Sequence, residues 1–335
     1  MRQLFNQFFH STLPQLAREI YEVCWLLFKI MIPVLLVVKA LEEFGAIPYI
    51  SLALEPIMQL VGLPDSMGLV WTTTLLTNIY GGMLIFFQLA PQEHLTVAQV
   101  TVLSSMMLIA HSLPIELRIV QKAGVKIIVA LLIRLLSALA LGMLLHYSYQ
   151  WADWLQQPVV LIWQQPVTDN SLLSWGLNQL KSFIMIIVII TALMSLLRFL
   201  RWVHIERLMI WLLQPLLKLL GISTQATSLT IIGVTLGLSF GGGLLIREAQ
   251  SGHISPKDCF SALCLLSLSH SIIEDTLLVM TLGADLSGVL WTRLAFSFVF
   301  VAIMTRWLNR TSKTFQHRWL LNTPDNTGIG RLNAN

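Results

Sequence analysis

Long apolar runs constrain this chain more than any other feature. Cys24 to Leu41, Phe183 to Leu197 and Leu286 to Met304 each approach the length that an α-helix needs to cross a bilayer, roughly 20 residues. Hydrophobic residues make up 56% of the chain and charged residues 11%, whereas a soluble domain carries roughly a quarter charged residues. Lipid is therefore the main solvent. The runs are continuous rather than alternating, which excludes a membrane β-barrel. The expected fold is all-α, a polytopic membrane protein.

Residues 1–22 read as an amphipathic cytoplasmic segment. The apolar run from Cys24 is too long for a signal-peptide core, with no small-residue cleavage site after it, so this segment is expected to stay attached. Cys24, Cys259 and Cys264 fall in or beside apolar segments, which indicates neither a disulfide framework nor a thiolate metal site. The net charge of +4 comes from basic residues gathered at helix ends. That is the pattern of topology determinants, and nucleic acid is not expected as a partner.

An internal repeat organises the rest. Leu54-Glu55-Pro56 through Gly62 aligns with Leu213-Gln214-Pro215 through Gly221, Tyr80-Gly81-Gly82 with Phe240-Gly241-Gly242, and His111-Ser112 with His270-Ser271. Glu116 falls opposite Asp275, Gly124 opposite Gly283 and Arg134 opposite Arg293, at an offset of 159 residues that becomes 160 around the glycine pair. Polar and punctuating positions held in one register do not arise from leucine-rich composition alone.

Charge sets the orientation. The stretch from Tyr147 to Leu180 holds Trp151, Trp154, Trp163 and Trp175 but no Lys or Arg, so it belongs outside. Arg118 to Lys126, Arg198 to Arg207 and the tail with Arg310, Lys313 and Arg318 belong inside. A first repeat over 23–147 and a second over 176–306 are then inverted, joined by an outer Trp-rich linker at 148–175 and followed by a basic cytoplasmic tail at 307–335. Each repeat is expected to hold about three full crossings and an interfacial helix, near 49–61 and 208–220.

Residues 66–88 and 226–247 remain, each beginning and ending on one side by the same charge rule. They are either re-entrant hairpins, with tips at Asn78-Ile79-Tyr80-Gly81-Gly82 and Ser239-Phe240-Gly241-Gly242-Gly243, or straight helices tolerating small residues for packing. In the hairpin case the glycines turn tightly and admit a ligand to the backbone, and half-helix ends aim partial charges at the midplane. Thr77 adds a hydroxyl to the first tip.

Ionisable residues at membrane depth are costly, which marks them as candidates. His111 stands near Glu116, and His270 stands near Glu274 and Asp275. Such sets relay protons, bind a divalent cation, or pair with Arg134 and Arg293 as structural salt bridges, for instance Arg134 to Asp275; in the transport reading the two arginines instead supply counter-charge to a bound anion. The spacings match no strong metal motif, so no metal site is assigned.

These motifs resemble the Gate, or nucleoside-recognition, superfamily, which includes concentrative nucleoside transporters, the membrane core of ferrous iron transport protein B, and spore maturation proteins A and B. The resemblance spans about 28–146 and 187–305. It implies solute bound by hairpin tips and unwound helices between inverted repeats. The chain lacks a Gly-x-x-x-x-Gly-Lys phosphate loop, so an energising GTPase would be a separate protein.

The function expected is a transporter in the bacterial cytoplasmic membrane, both termini inside, moving a small polar or anionic solute by alternating access. The binding residues expected are Thr77, Asn78, Tyr80, Gly81, Gly82, Ser239, Phe240, Gly241, Gly242, Gly243, His111, Ser112, Glu116, His270, Ser271, Glu274, Asp275, Arg134 and Arg293. No cofactor is expected beyond a coupling ion, H+ or Na+, and no catalysis. Partners are the solute, membrane lipid and, as an open case, further copies of the chain. A divalent-metal transporter and a non-transporting scaffold subunit stay open.

Overall fold

The computed structural model describes residues 13–163, 171–203, 205–220 and 254–321, with short stretches between 222 and 247. Among the described residues six segments are long and apolar enough to cross a membrane: Pro14–Glu43, Val97–Lys122, Ile127–Trp151, Leu172–Leu200, Pro256–Met280 and Ser287–Arg310. The chain is a polytopic all-α membrane protein.

The first half comprises α1 (Leu13–Glu43), α2 (Ile47–Leu60), α3 (Met67–Leu76), α4 (Ile79–Leu89), α5 (Val97–Ile109), α6 (Leu113–Lys122) and α7 (Ile127–Trp151). The second half repeats this order with α8 (Leu172–Trp202), α9 (Ile205–Leu219), α10 (Pro256–Ser269), α11 (Glu274–Met280), a π-helical turn at Ser287–Thr292 and α12 (Arg293–Arg310). The second hairpin segment falls largely outside the described residues.

Helix α1 starts ten residues before the first repeat's expected start at 23. The polar residues responsible for that expectation support the helix instead, since Arg18 Nε meets Glu22 Oε1 at 2.8 Å, one turn apart. Helix α8 similarly begins at Leu172 and α7 runs on to Trp151, so each shortens the expected linker.

Contacts at the two ends of the bundle show that equivalent helices run in opposite directions. At one face Gln99 Nε2 donates to Gly62 O at 3.0 Å, Asp285 N to Thr101 Oγ1 at 2.9 Å, and Tyr149 OH lies 2.7 Å from Ser287 Oγ. At the other, Cys259 Sγ approaches Ala123 O at 3.2 Å and Thr305 Oγ1 donates to Ser261 Oγ at 2.9 Å. The α5–α6 span therefore runs from the first face to the second and the α10–α11 span runs back. Helices α7 and α12 are opposed in the same way. The α1/α8 pair touches directly, with Phe28 against Phe183 and Glu19 Oε2 3.5 Å from Arg198 Nη1, which is antiparallel packing.

Helices α3 and α4 form a re-entrant hairpin. Gly62 and Leu95 both lie at the first face, where Val159 N donates to Leu95 O at 2.9 Å. With 10 and 11 residues, the arms reach about 15 Å, half of the roughly 30 Å hydrocarbon core. The α5–α6 and α10–α11 spans occupy the centre, with 83% and 67% of their apolar windows buried, against 22% for α8. Tyr21, Trp25, Leu36, Ile184 and Val188 on α1 and α8 stay exposed, as lipid-facing positions do.

Candidate functional site

Both central spans break in mid-membrane at the same repeat position. Helix α5 ends at Ile109 and α6 starts at Leu113, while α10 ends at Ser269 and α11 starts at Glu274. The residue after each histidine is in the left-handed region, Ser112 at φ 49° and Ser271 at φ 46°. Non-glycine residues adopt this conformation at a cost, so its recurrence in both halves marks a built feature.

An arginine holds each break. Arg134 Nε donates to Ile109 O at 3.0 Å and Nη2 to His111 O at 3.2 Å; Arg293 Nε donates to Leu268 O at 2.9 Å and Nη2 to His270 O at 3.0 Å. These four carbonyls are what interrupted helices leave unsatisfied, and a cation at a helix C-terminus is favourable. Both arginines are fully buried. Arg134 Nη1 also pairs with Glu116 Oε2, in the first turn of α6. Arg134–Asp275, the bridge between halves that the structural alternative offered as an example, gives way to this pair within one half. In the second half an aspartate stands where the first has a glutamate. Its side chain is one methylene shorter, and Arg293 Nη1 finds no hydrogen-bond acceptor among the described residues.

The two histidines meet where the breaks meet. Their Nε2 atoms lie 3.0 Å apart. Glu116 Oε1 is 3.2 Å from His111 Nε2 and 3.4 Å from His270 Nε2, while Asp275 Oδ2 is 3.9 and 4.0 Å from the same atoms. Each half thus offers its carboxylate to the other half's histidine, the reciprocity of a twofold relation.

The first hairpin tip packs against this centre, with Ser112 N donating to Thr74 O at 3.1 Å. In the second half Ile272 N donates to Val234 O at 3.1 Å, close to the equivalent bond. The turn itself is Thr77-Asn78, and Ile79 to Gly82 already belong to α4. Asn78 Oδ1 caps α4 by accepting from Gly81 N at 2.9 Å, and Thr77 Oγ1 donates to Thr73 O at 2.7 Å. The glycines serve close packing of the arms rather than the turn. A Cβ on Gly82 would fall 1.8 Å from Thr74 Oγ1, and one on Gly81 2.4 Å from Thr77 Oγ1. Tyr80 is half-buried against the apolar core, and Glu274 opens α11 beside Asp275. Ser239, Phe240, Gly241, Gly242 and Gly243 lie outside the described residues.

The backbone carbonyls that the arginines and histidines engage left no trace in side-chain chemistry. Their one signal was the His-Ser-x-Pro stretch at His111 to Pro114, where proline disfavours continued helix. Sequence reasoning also missed a cavity of about 310 Å³ at the first face, lined by Ala98, Gln99, Val102, His146, Tyr149 and Gln156 among others.

Fold and site together define an integral membrane protein with two opposed halves and a buried histidine–carboxylate centre. The chain is similar to a protein of Bacillus subtilis (strain 168) described as uncharacterized membrane protein YvoD, at 26% identity over 284 residues that cover 82% of this chain and 87% of that one. No family model matches the chain. No solved structure matches it either.

Proposed function

We propose that the protein is a transporter that moves a small polar solute by alternating access, with a cation bound at the histidine–carboxylate centre coupling the movement. The observation that carries this reading is the meeting of two broken helices, one from each half, at matching breaks in mid-membrane. Interrupted backbone at that depth needs protein or water to satisfy it. Paired breaks between opposed repeats are how transporters build a site that rocks between two sides.

The arginines favour a cation centre over an anion pocket. Arg134's nitrogens serve helix ends and Glu116, and of this arginine pair it is Arg293 whose Nη1 has no acceptor among the described residues. A solute would sit beside the Asn78 tip, where Tyr80 and the half-helix ends supply contacts. The Gate resemblance fits this arrangement. In the same reading the membrane is the bacterial cytoplasmic one with both termini inside, because Arg118, Lys126, Lys257, Arg310 and Arg318 gather at the second face.

Purified protein screened for thermal stabilisation by nucleosides, organic anions and lipid phosphates should yield at least one stabilising class, since a ligand bound to the folded state raises its stability. That compound should then enter proteoliposomes under an imposed gradient of pH, Na+ or a divalent cation. A folded protein that moves no stabilising compound under any of these gradients would favour the scaffold role.

A further inference from the structure

The protonation of the histidine pair follows from its hydrogen bonds. His111 Nδ1 lies 3.0 Å from Met107 O and His270 Nδ1 lies 2.7 Å from Leu266 O, each carbonyl four residues back on the same helix. A carbonyl oxygen only accepts, so each Nδ1 carries a proton and each neutral ring leaves its Nε2 a bare acceptor. These two acceptors face each other at 3.0 Å. Glu116 Oε1 stands within 3.4 Å of both. Asp275 Oδ2 stands within 4.0 Å of both, buried and without a hydrogen-bond partner among the described residues. With both carboxyls ionised, these are four acceptor atoms about the histidine pair and none of them donates, an arrangement that a bound cation relieves.

We infer that His111, His270 and Asp275, with Glu116 as fourth ligand, bind one divalent transition-metal ion between the two halves. The inference deepens the proposed function by naming the cation class at the same centre. Bonds of about 2.0–2.1 Å to nitrogen and oxygen set ligand atoms of a tetrahedral site about 3.3 Å apart. The histidine pair and both His–Glu116 separations, 3.0 to 3.4 Å, bracket that value. Asp275 must close by about 0.6 Å to reach it, which a small side-chain rotation provides. Histidine, histidine and aspartate atoms already lie within 4.8 Å of one another.

Outer contacts agree. Metal-binding imidazoles commonly donate their other N–H to a backbone carbonyl or carboxylate, which fixes the ring, and both rings do so here. The second oxygen of Glu116 is held by Arg134. Arg134 divides its donors between two helix C-terminal carbonyls and Glu116, and Arg293 stands against two such carbonyls, which offset its charge beside Asp275. Two imidazoles with carboxylates favour Zn2+, Co2+, Ni2+ or Fe2+ over Mg2+ and Ca2+.

The full chain in detergent, titrated with Co2+, should bind one ion with the intense visible absorption of tetrahedral cobalt, and Zn2+ should displace it. Asp275→Asn, nearly isosteric, should weaken binding by more than about 10-fold while the protein elutes unchanged from a sizing column. His270→Gln should do the same, and His146→Gln, at the first-face cavity, should not. If His270→Gln fails to fold, Asp275→Asn decides the matter. Absence of a saturable cobalt band in folded wild-type protein, or a band that survives Asp275→Asn, would overturn the inference and leave a shared proton or a surface ion as the occupant. Solute flux without metal binding would overturn the metal site alone, and metal bound without flux would overturn the transport reading alone.

Discussion

Arg134 and Arg293 occupy the same repeat position but are unequally bound, and the difference is testable. Arg134 holds two carbonyls and Glu116, whereas Arg293 holds two carbonyls and its Nη1 has no acceptor among the described residues. Removing one partner of a buried ion pair costs about 3–5 kcal/mol. Arg134→Ala should therefore lower folded yield and melting temperature more than Arg293→Ala, and equal losses would show that the Glu116 pair adds nothing. The left-handed serines give a second prediction. Ser112→Gly should be neutral or stabilising by up to about 1 kcal/mol, while Ser112→Val, β-branched at a positive φ, should lower the melting temperature clearly. Similar melting for both variants would contradict the strain. Histidines, acids and arginines were legible in the sequence because charge is conspicuous among apolar residues. Their partners were not, since backbone carbonyls look alike at every position.

At the scale of elements, the hairpin was legible through charge and its details were not. The link from Gln88 to Thr96 lacks basic residues, which put both ends of 66–88 on one side, and the contacts of Gly62 and Leu95 agree. The glycine pair drew the expected tip four residues too wide, because a glycine signals either a turn or a close approach. Here close approach decides it, so Gly82→Ala should destabilise by about 1–3 kcal/mol. Thr74→Ala removes the obstructing hydroxyl and should recover part of that loss. Thermal melts of the two single variants and the double variant measure the coupling, and strict additivity would mean that the arms do not meet there. The longer α1 was hidden for a related reason. Charged residues that read as a solvated segment also pair along a helix, as Arg18 and Glu22 do.

For the whole molecule, the repeat was legible because polar and punctuating residues recur at one offset. That the breaks meet, histidine to histidine, was not, since repeat alignment gives equivalence without contact. The opposed halves predict topology directly. Cysteines placed at Gln156 and Thr314, with the three native cysteines replaced, should react with an impermeant reagent from opposite sides of oriented vesicles. Labelling of both from one side would contradict the inverted arrangement.

The central claim is that the meeting point of the breaks opens to each side in turn. Ser271→Cys tests it most directly, because the position adjoins His270, is half-buried, and changes only oxygen to sulfur. In sealed vesicles of known orientation and free of native cysteines, an impermeant thiol reagent should label this residue when added from either side, with rates that shift oppositely when a transported solute is present. Labelling from one side only, or from neither, in folded protein would contradict alternating access.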